Sequence, residues 1–87
     1  MQYLQSQMQA AKSEARAKNY GLTRRELEIV SGVVAGLINK EIASHFKIAE
    51  DTVKHHMTSI FDKLGVSTRL ELAMFAVNHS LPLIDIL

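Results

Sequence analysis

Apolar residues recur at steps of three and four in successive stretches of this chain, and nowhere do apolar and polar positions alternate over the length of a strand. The pattern predicts an all-α fold. In the first strong stretch Leu27, Val30, Val33, Val34 and Leu37 share one helical face. Thr23-Arg24-Arg25-Glu26 ahead of it is a capping box, Leu22 and Leu27 stand at the positions of a hydrophobic staple, and Gly36 ends the helix. Asn39 is placed to cap a short helix with Ile42, Ala43 and Phe46 inward and Lys40, Glu41 and Ser44 outward. After a turn at Lys47-Ile48-Ala49, a longer helix is predicted from Glu50 to Leu64, with Val53, Met57, Ile60, Phe61 and Leu64 buried and Gly65 closing it.

Thr68-Arg69-Leu70-Glu71 is a second capping box, opening a last helix that is expected to run to about Ser80, short of Pro82. This helix is apolar on two faces. Leu72, Ala73 and Ala76 form one stripe and Leu70, Met74 and Val77 another, whereas a helix at the edge of a small domain needs only one. The second stripe therefore asks for a partner: another copy of the chain, the N-terminal segment or an upstream domain.

Residues 1–20 are rich in Gln, Ala and Lys, lack Pro and Gly, and carry only Tyr3, Leu4, Met8 and some alanines as apolar content. They read as a polar linker helix, stopped at Asn19-Tyr20-Gly21, ahead of a domain spanning 21–87. The apolar tail from Leu83 to Leu87 is too short for an assignment.

Hydrophobic residues make up 47% of the chain, enough for a core and too many for a disordered segment. With no cysteine, disulfides and thiolate metal sites are excluded. No apolar run approaches the roughly 20 residues needed to span a bilayer, and no signal-peptide pattern follows Met1, so a soluble cytoplasmic protein without a membrane partner is expected. The net charge of +1 does not by itself announce a nucleic-acid partner. The placement of the charges must decide.

That placement is unusual on the helix from Glu50. Projected at about 100° per residue, Lys54, His55, Thr58, Ser59 and Lys63 lie away from the apolar stripe, where an ordinary solvated helix carries Glu and Lys pairs. Lysine donates to guanine acceptors or phosphate, histidine can do either, and Ser or Thr fits base edges and the thymine methyl. The helix N-terminus adds free amides for a phosphate, with the Thr52 hydroxyl beside them. A short helix, a tight turn and such a helix suit the major groove of double-stranded DNA. A merely solvated helix is the competing reading.

An enzyme finds little support in the chain. His55 and His56 are adjacent, so their side chains diverge by about 100° and cannot hold one ion. His56 lies beside Val53 and Ile60, where a hydrogen-bonded packing role is expected, and His45 and His79 are expected in solvent. Ser44, Ser59 and Ser67 have no nucleophile motif around them, and no Gly-rich phosphate loop occurs, so no catalysis, metal or cofactor is expected. The alternative to DNA binding is a helical interaction module docking on a partner in the transcription machinery.

From Leu22 onward the chain resembles the LuxR/FixJ/NarL-type helix-turn-helix domain of bacterial response regulators and quorum-sensing regulators. The residues that carry the resemblance are Leu22-Thr23-Arg24-Arg25-Glu26-Leu27-Glu28, Gly36, Asn39-Lys40-Glu41-Ile42-Ala43, Thr52-Val53-Lys54 with His56, Lys63-Leu64-Gly65-Val66, and Arg69 with Glu71. It implies a four-helix DNA-binding domain of a transcription regulator, either the output domain of a two-component response regulator or a stand-alone protein. It also implies a weak homodimer, strengthened on paired half-sites, with RNA polymerase as a further candidate partner.

By the same resemblance the helix-turn-helix pair falls on Asn39 to Phe46 and on Glu50 to Leu64. Lys54, His55 and Thr58 match positions that touch bases or nearby phosphates, Lys40 and Thr52 match backbone-contacting positions, and the last helix, with Leu70, Met74 and Val77, matches the dimer interface. Two residues depart from the family pattern. Ala49 stands where a capping Ser is common, a loss of about 1 kcal/mol. Ile38 replaces the small hydroxyl residue often found before Asn39, and with it one phosphate contact.

Overall fold

The structure, a computed structural model, describes residues 19 to 86. Four helices account for its regular elements: α1, Arg24–Val34; α2, Asn39–Phe46; α3, Glu50–Leu64; and α4, Arg69–Asn78. Among the described residues there is no strand. The fold is all-α, as the periodicity predicts. The expected linker helix over 1–20 lies, except for its last two residues, outside the described residues.

The cap of α1 forms as read. Thr23 Oγ1 accepts from the Glu26 N–H at 3.1 Å and Glu26 Oε1 accepts from the Thr23 N–H at 2.8 Å, satisfying two otherwise unpaired amides. At the other end Gly36 adopts φ +89° and the Leu37 N–H bonds the Gly32 carbonyl at 2.9 Å. Only a residue without a Cβ takes this conformation at little cost.

Packing places α1 at the centre, against α2, α3 and α4, and α2 against α3. A helix with neighbours on several sides must bury more than one stripe. Accordingly Ile29, outside the predicted stripe, is fully buried with Val30, and Glu26, Ser31 and Gly32 are buried too. Ile42 from α2, Val53 and Ile60 from α3, and Leu72 from α4 complete the innermost core. A Cβ on Gly32 would lie 2.8 Å from Ile42 Cγ1, so α1 and α2 approach closely there.

The start of α2 differs from the sequence reading. Its cap is Ile38, which has no side-chain acceptor, and Glu41 Oε1 instead receives the Ile38 N–H at 2.9 Å. Asn39 is the first helical residue. Its Oδ1 accepts from Arg69 Nη1 at 2.8 Å, and Arg69 Nη2 donates to the Leu37 carbonyl, so the guanidinium ties the start of α4 to the approach to α2. Between α2 and α3, Lys47 takes the left-handed conformation (φ 57°) and the Ile48 N–H reaches back to the Ala43 carbonyl at 3.0 Å. Ala49 caps α3 without a side-chain bond, and Gly65 ends it at φ +69°.

Helix α4 starts at its predicted cap, where Thr68 Oγ1 accepts from the Glu71 N–H at 3.1 Å. It stops at Asn78, two residues before the expected end. Ser80 turns left-handed (φ 50°), the Leu81 N–H bonds the Ala76 carbonyl at 3.0 Å, and the Leu81 side chain drops into the core. The tail then packs back on α1. The Ile84 N–H donates to Ser31 Oγ at 2.7 Å, while the Ser31 hydroxyl donates to the Leu27 carbonyl at 2.8 Å.

Candidate nucleic-acid interface

The turn at Lys47 and the packing of α2 on α3 hold the two helices as one unit, with the Val53, Met57 and Ile60 side of α3 buried. The opposite side of α3 presents Lys54, His55 and Thr58, all exposed, with Thr52 half-buried at its start. Among the described residues no carboxylate pairs with Lys54, nor with exposed Lys40 on α2. Thr58 Oγ1 donates to the Lys54 carbonyl at 3.2 Å, which fixes its rotamer and leaves the oxygen as an acceptor.

Ser59 and Lys63 do not join this group. Lys63 Nζ lies 2.6 Å from Glu26 Oε1 and donates to the Gly21 carbonyl at 3.1 Å, while half-buried Ser59 lends its hydroxyl to the same carboxylate. Burial alone pushes the Glu26 carboxyl up. The Lys63 ammonium, the Thr23 N–H and the Ser59 hydroxyl outweigh burial and hold it below the ordinary carboxylate value. A capping acid that faces the core needs a cation, and this was the available signal that Lys63 would turn inward.

The remaining cations have partners or lie off α3. Arg24 and Arg25 pair with Glu28 at 3.4 and 3.0 Å, and the Arg25 guanidinium sits 5.4 Å from the centre of the Phe46 ring. His45 is exposed, with its ring edge-on to Phe46. His56 is half-buried beside the core, without the expected hydrogen bond among the described residues. His79 is exposed yet engaged, its Nδ1 lying 3.0 Å from the Tyr20 hydroxyl. Among the described residues no three His, Asp or Glu side chains converge as metal ligands, and no helix is long and apolar enough to cross a membrane.

Comparison of the sequence with known proteins identifies the family. Residues 20–76 fit the family of bacterial regulatory proteins, luxR family. The chain belongs to the luxR family. It is 37% identical over 81 residues to the uncharacterized transcriptional regulatory protein YhcZ of Bacillus subtilis, covering 93% of this chain and 38% of that protein. It is 45% identical over 60 residues to the transcriptional regulatory protein LiaR of the same organism, covering 69% and 28%. To the response regulator protein VraR of Staphylococcus aureus it is 42% identical over 60 residues, covering 69% and 29%. The matched parts thus span less than two fifths of each of these relatives. The luxR family is one of regulatory proteins rather than of enzymes.

Proposed function

We propose that this luxR-family domain binds double-stranded DNA sequence-specifically, with α3 lying in the major groove, and so regulates transcription in the bacterial cytoplasm. The observation that carries this reading is the open face of α3, where exposed Lys54, unpaired among the described residues, stands with His55 and Thr58. Lys54 and His55 read base edges or the nearest phosphates, and the Thr58 methyl and oxygen fit between them. Lys40 and Thr52 grip the backbone on either side of the turn. Ser59 and Lys63 support α3 from behind, through Glu26, rather than contacting DNA.

Two copies bind paired half-sites through α4, whose Leu70, Met74 and Val77 are 70%, 54% and 63% exposed. Three large apolar side chains on one helix face, open to water, suit a self-complementary interface. Resemblance to longer response regulators supports a place as the output module of such a protein. Selection of bound duplexes from a random pool tests the proposal. A recovered motif with two-fold symmetry, bound with a steep salt dependence, is the expected result, because phosphate contacts release counterions. Recovery of no motif, with salt-independent retention, would remove the DNA-binding reading.

A further inference from the structure

Tyr20 holds a strained backbone, with φ 52° in the left-handed region, immediately before Gly21 at φ +76°. An aromatic residue persists there only when its surroundings over-determine it. Its surroundings are the last turn of α4. The Tyr20 ring packs edge-on to Phe75 at 5.0 Å and to His79 at 5.4 Å, and its hydroxyl lies 3.0 Å from His79 Nδ1. Phe75 and His79, one turn apart, stack on each other at 4.1 Å. The next residue is held as well, since the Gly21 carbonyl accepts from Lys63 Nζ at 3.1 Å. A chain segment more than fifty residues upstream is thereby clasped onto the C-terminal turn of α4.

Beyond the Leu81 N–H bond to Ala76 and the burial of Leu81, that turn lacks the usual stabilisers of a helix end. Helix α4 has no basic residue in its last turn, and it ends on Ser80 rather than glycine in the left-handed position. Val77, one end of the exposed Leu70, Met74 and Val77 face, sits on the same turn as His79. Fraying there would move Val77 and blur the shape that a second copy must match.

We propose that Tyr20 is a positioning residue for pairing on DNA: seated on Phe75 and His79, it fixes the last turn of α4 and with it the Val77 end of the dimer face. The inference rests on the pairing role of α4 proposed above. It also gives the segment before the core helices a part in assembly, and the match to YhcZ, longer than residues 20–87, takes in some of that segment.

Tyr20→Gly separates a clasp from a mere turn residue, because glycine relieves the backbone strain while removing the ring. In the whole chain, amide exchange at His79, Ser80 and Leu81 is expected to quicken by about tenfold, with Ala35 and Leu37 at the end of α1 unchanged. Affinity for a duplex with two half-sites is expected to fall about tenfold, and affinity for a single half-site to hold, since the loss is one of coupling between sites. Tyr20→Phe, which keeps the ring and loses the hydroxyl, is expected between Tyr20→Gly and the natural chain in both measurements. Unchanged exchange at the end of α4, or equal acceleration throughout all helices, would overturn the proposal. Met74→Glu on the same two duplexes is the control. If it discriminates between them and Tyr20→Gly does not, the clasp is wrong while pairing stands, and if neither discriminates, pairing through α4 falls as well.

Discussion

Lys54 and Lys63 lie on one helix, yet their ammonium groups meet different surroundings. Lys54 is exposed and unpaired among the described residues, whereas Lys63 neutralises a buried carboxylate. Lys63→Met leaves Glu26 buried without its cation and is expected to lower unfolding free energy by about 1–3 kcal/mol in urea titration, less than for a fully buried pair because the lysine is partly solvated. The pair also sets an acid limit. Glu26 is held below the ordinary carboxylate value, so the folded chain binds this proton less readily than the unfolded chain. Its contribution is full above about pH 4.3, the usual glutamate value, and is lost as pH falls through the lowered folded value. Glu26→Gln is therefore expected to flatten the acid limb of a stability-versus-pH curve, and an unchanged limb would show that other carboxylates control it. Lys54→Ala, by contrast, is expected to spare stability, cost about 1–3 kcal/mol of DNA binding and relax preference at one or two base pairs. Lys40→Ala is expected to weaken all duplexes alike and reduce the salt slope by about one unit. Both are read by titration on the selected duplex and on variants of it, and intact preference in Lys54→Ala would move α3 out of the groove.

At the scale of helices, the ends decide what was legible. The cap at Ala49 is extended (φ −71°, ψ 149°) and lacks a side-chain acceptor, so Ala49→Ser can receive a first-turn amide without strain. Its denaturation midpoint is expected to rise, by an amount equivalent to about 0.5–2 kcal/mol, and a fall would show that the helix start lies elsewhere. The bounds of α3 and the capping box of α1 were readable because the signals are local: the acceptor, the amide and the left-handed glycine lie within a few residues of one another. The start of α2 was not, because the Asn39 side chain answers to Arg69, thirty residues away, instead of to its own helix. Helix α4 ended early for a similar reason, the burial of Leu81 drawing the chain inward through a left-handed serine. The three α3 residues on the open face were legible from projection alone, whereas Ser59 and Lys63, at the edge of that face, were claimed by a carboxylate on α1. One-helix periodicity cannot see such a claim.

For the whole molecule, the central position of α1 separates two surfaces. Helix α4 packs chiefly on α1, and α3 packs on α1 and α2, so the open face of α3 and the exposed apolar face of α4 are carried by different helices around α1. A change on one face can then be made without disturbing the other. Met74 is the suitable position, since at 54% exposure it takes little part in the core, while Leu72 and Ala76 on the same helix are buried. In the single domain a glutamate at 74 stays solvated. Across a two-fold axis, two such carboxylates would face each other and lose water together, which is costly without a cation. A short helix associates weakly in free solution, but two half-sites about one helical turn apart raise the effective concentration of the monomers. Met74→Glu is accordingly expected to leave the circular dichroism spectrum and single half-site binding near those of the natural chain, and to weaken binding to the two-half-site duplex by about tenfold or more. Equal losses on both duplexes would place Met74 in the DNA contact or the core instead. No loss on either would mean that this face covers another part of the protein, the upstream segment being the nearest candidate along the chain.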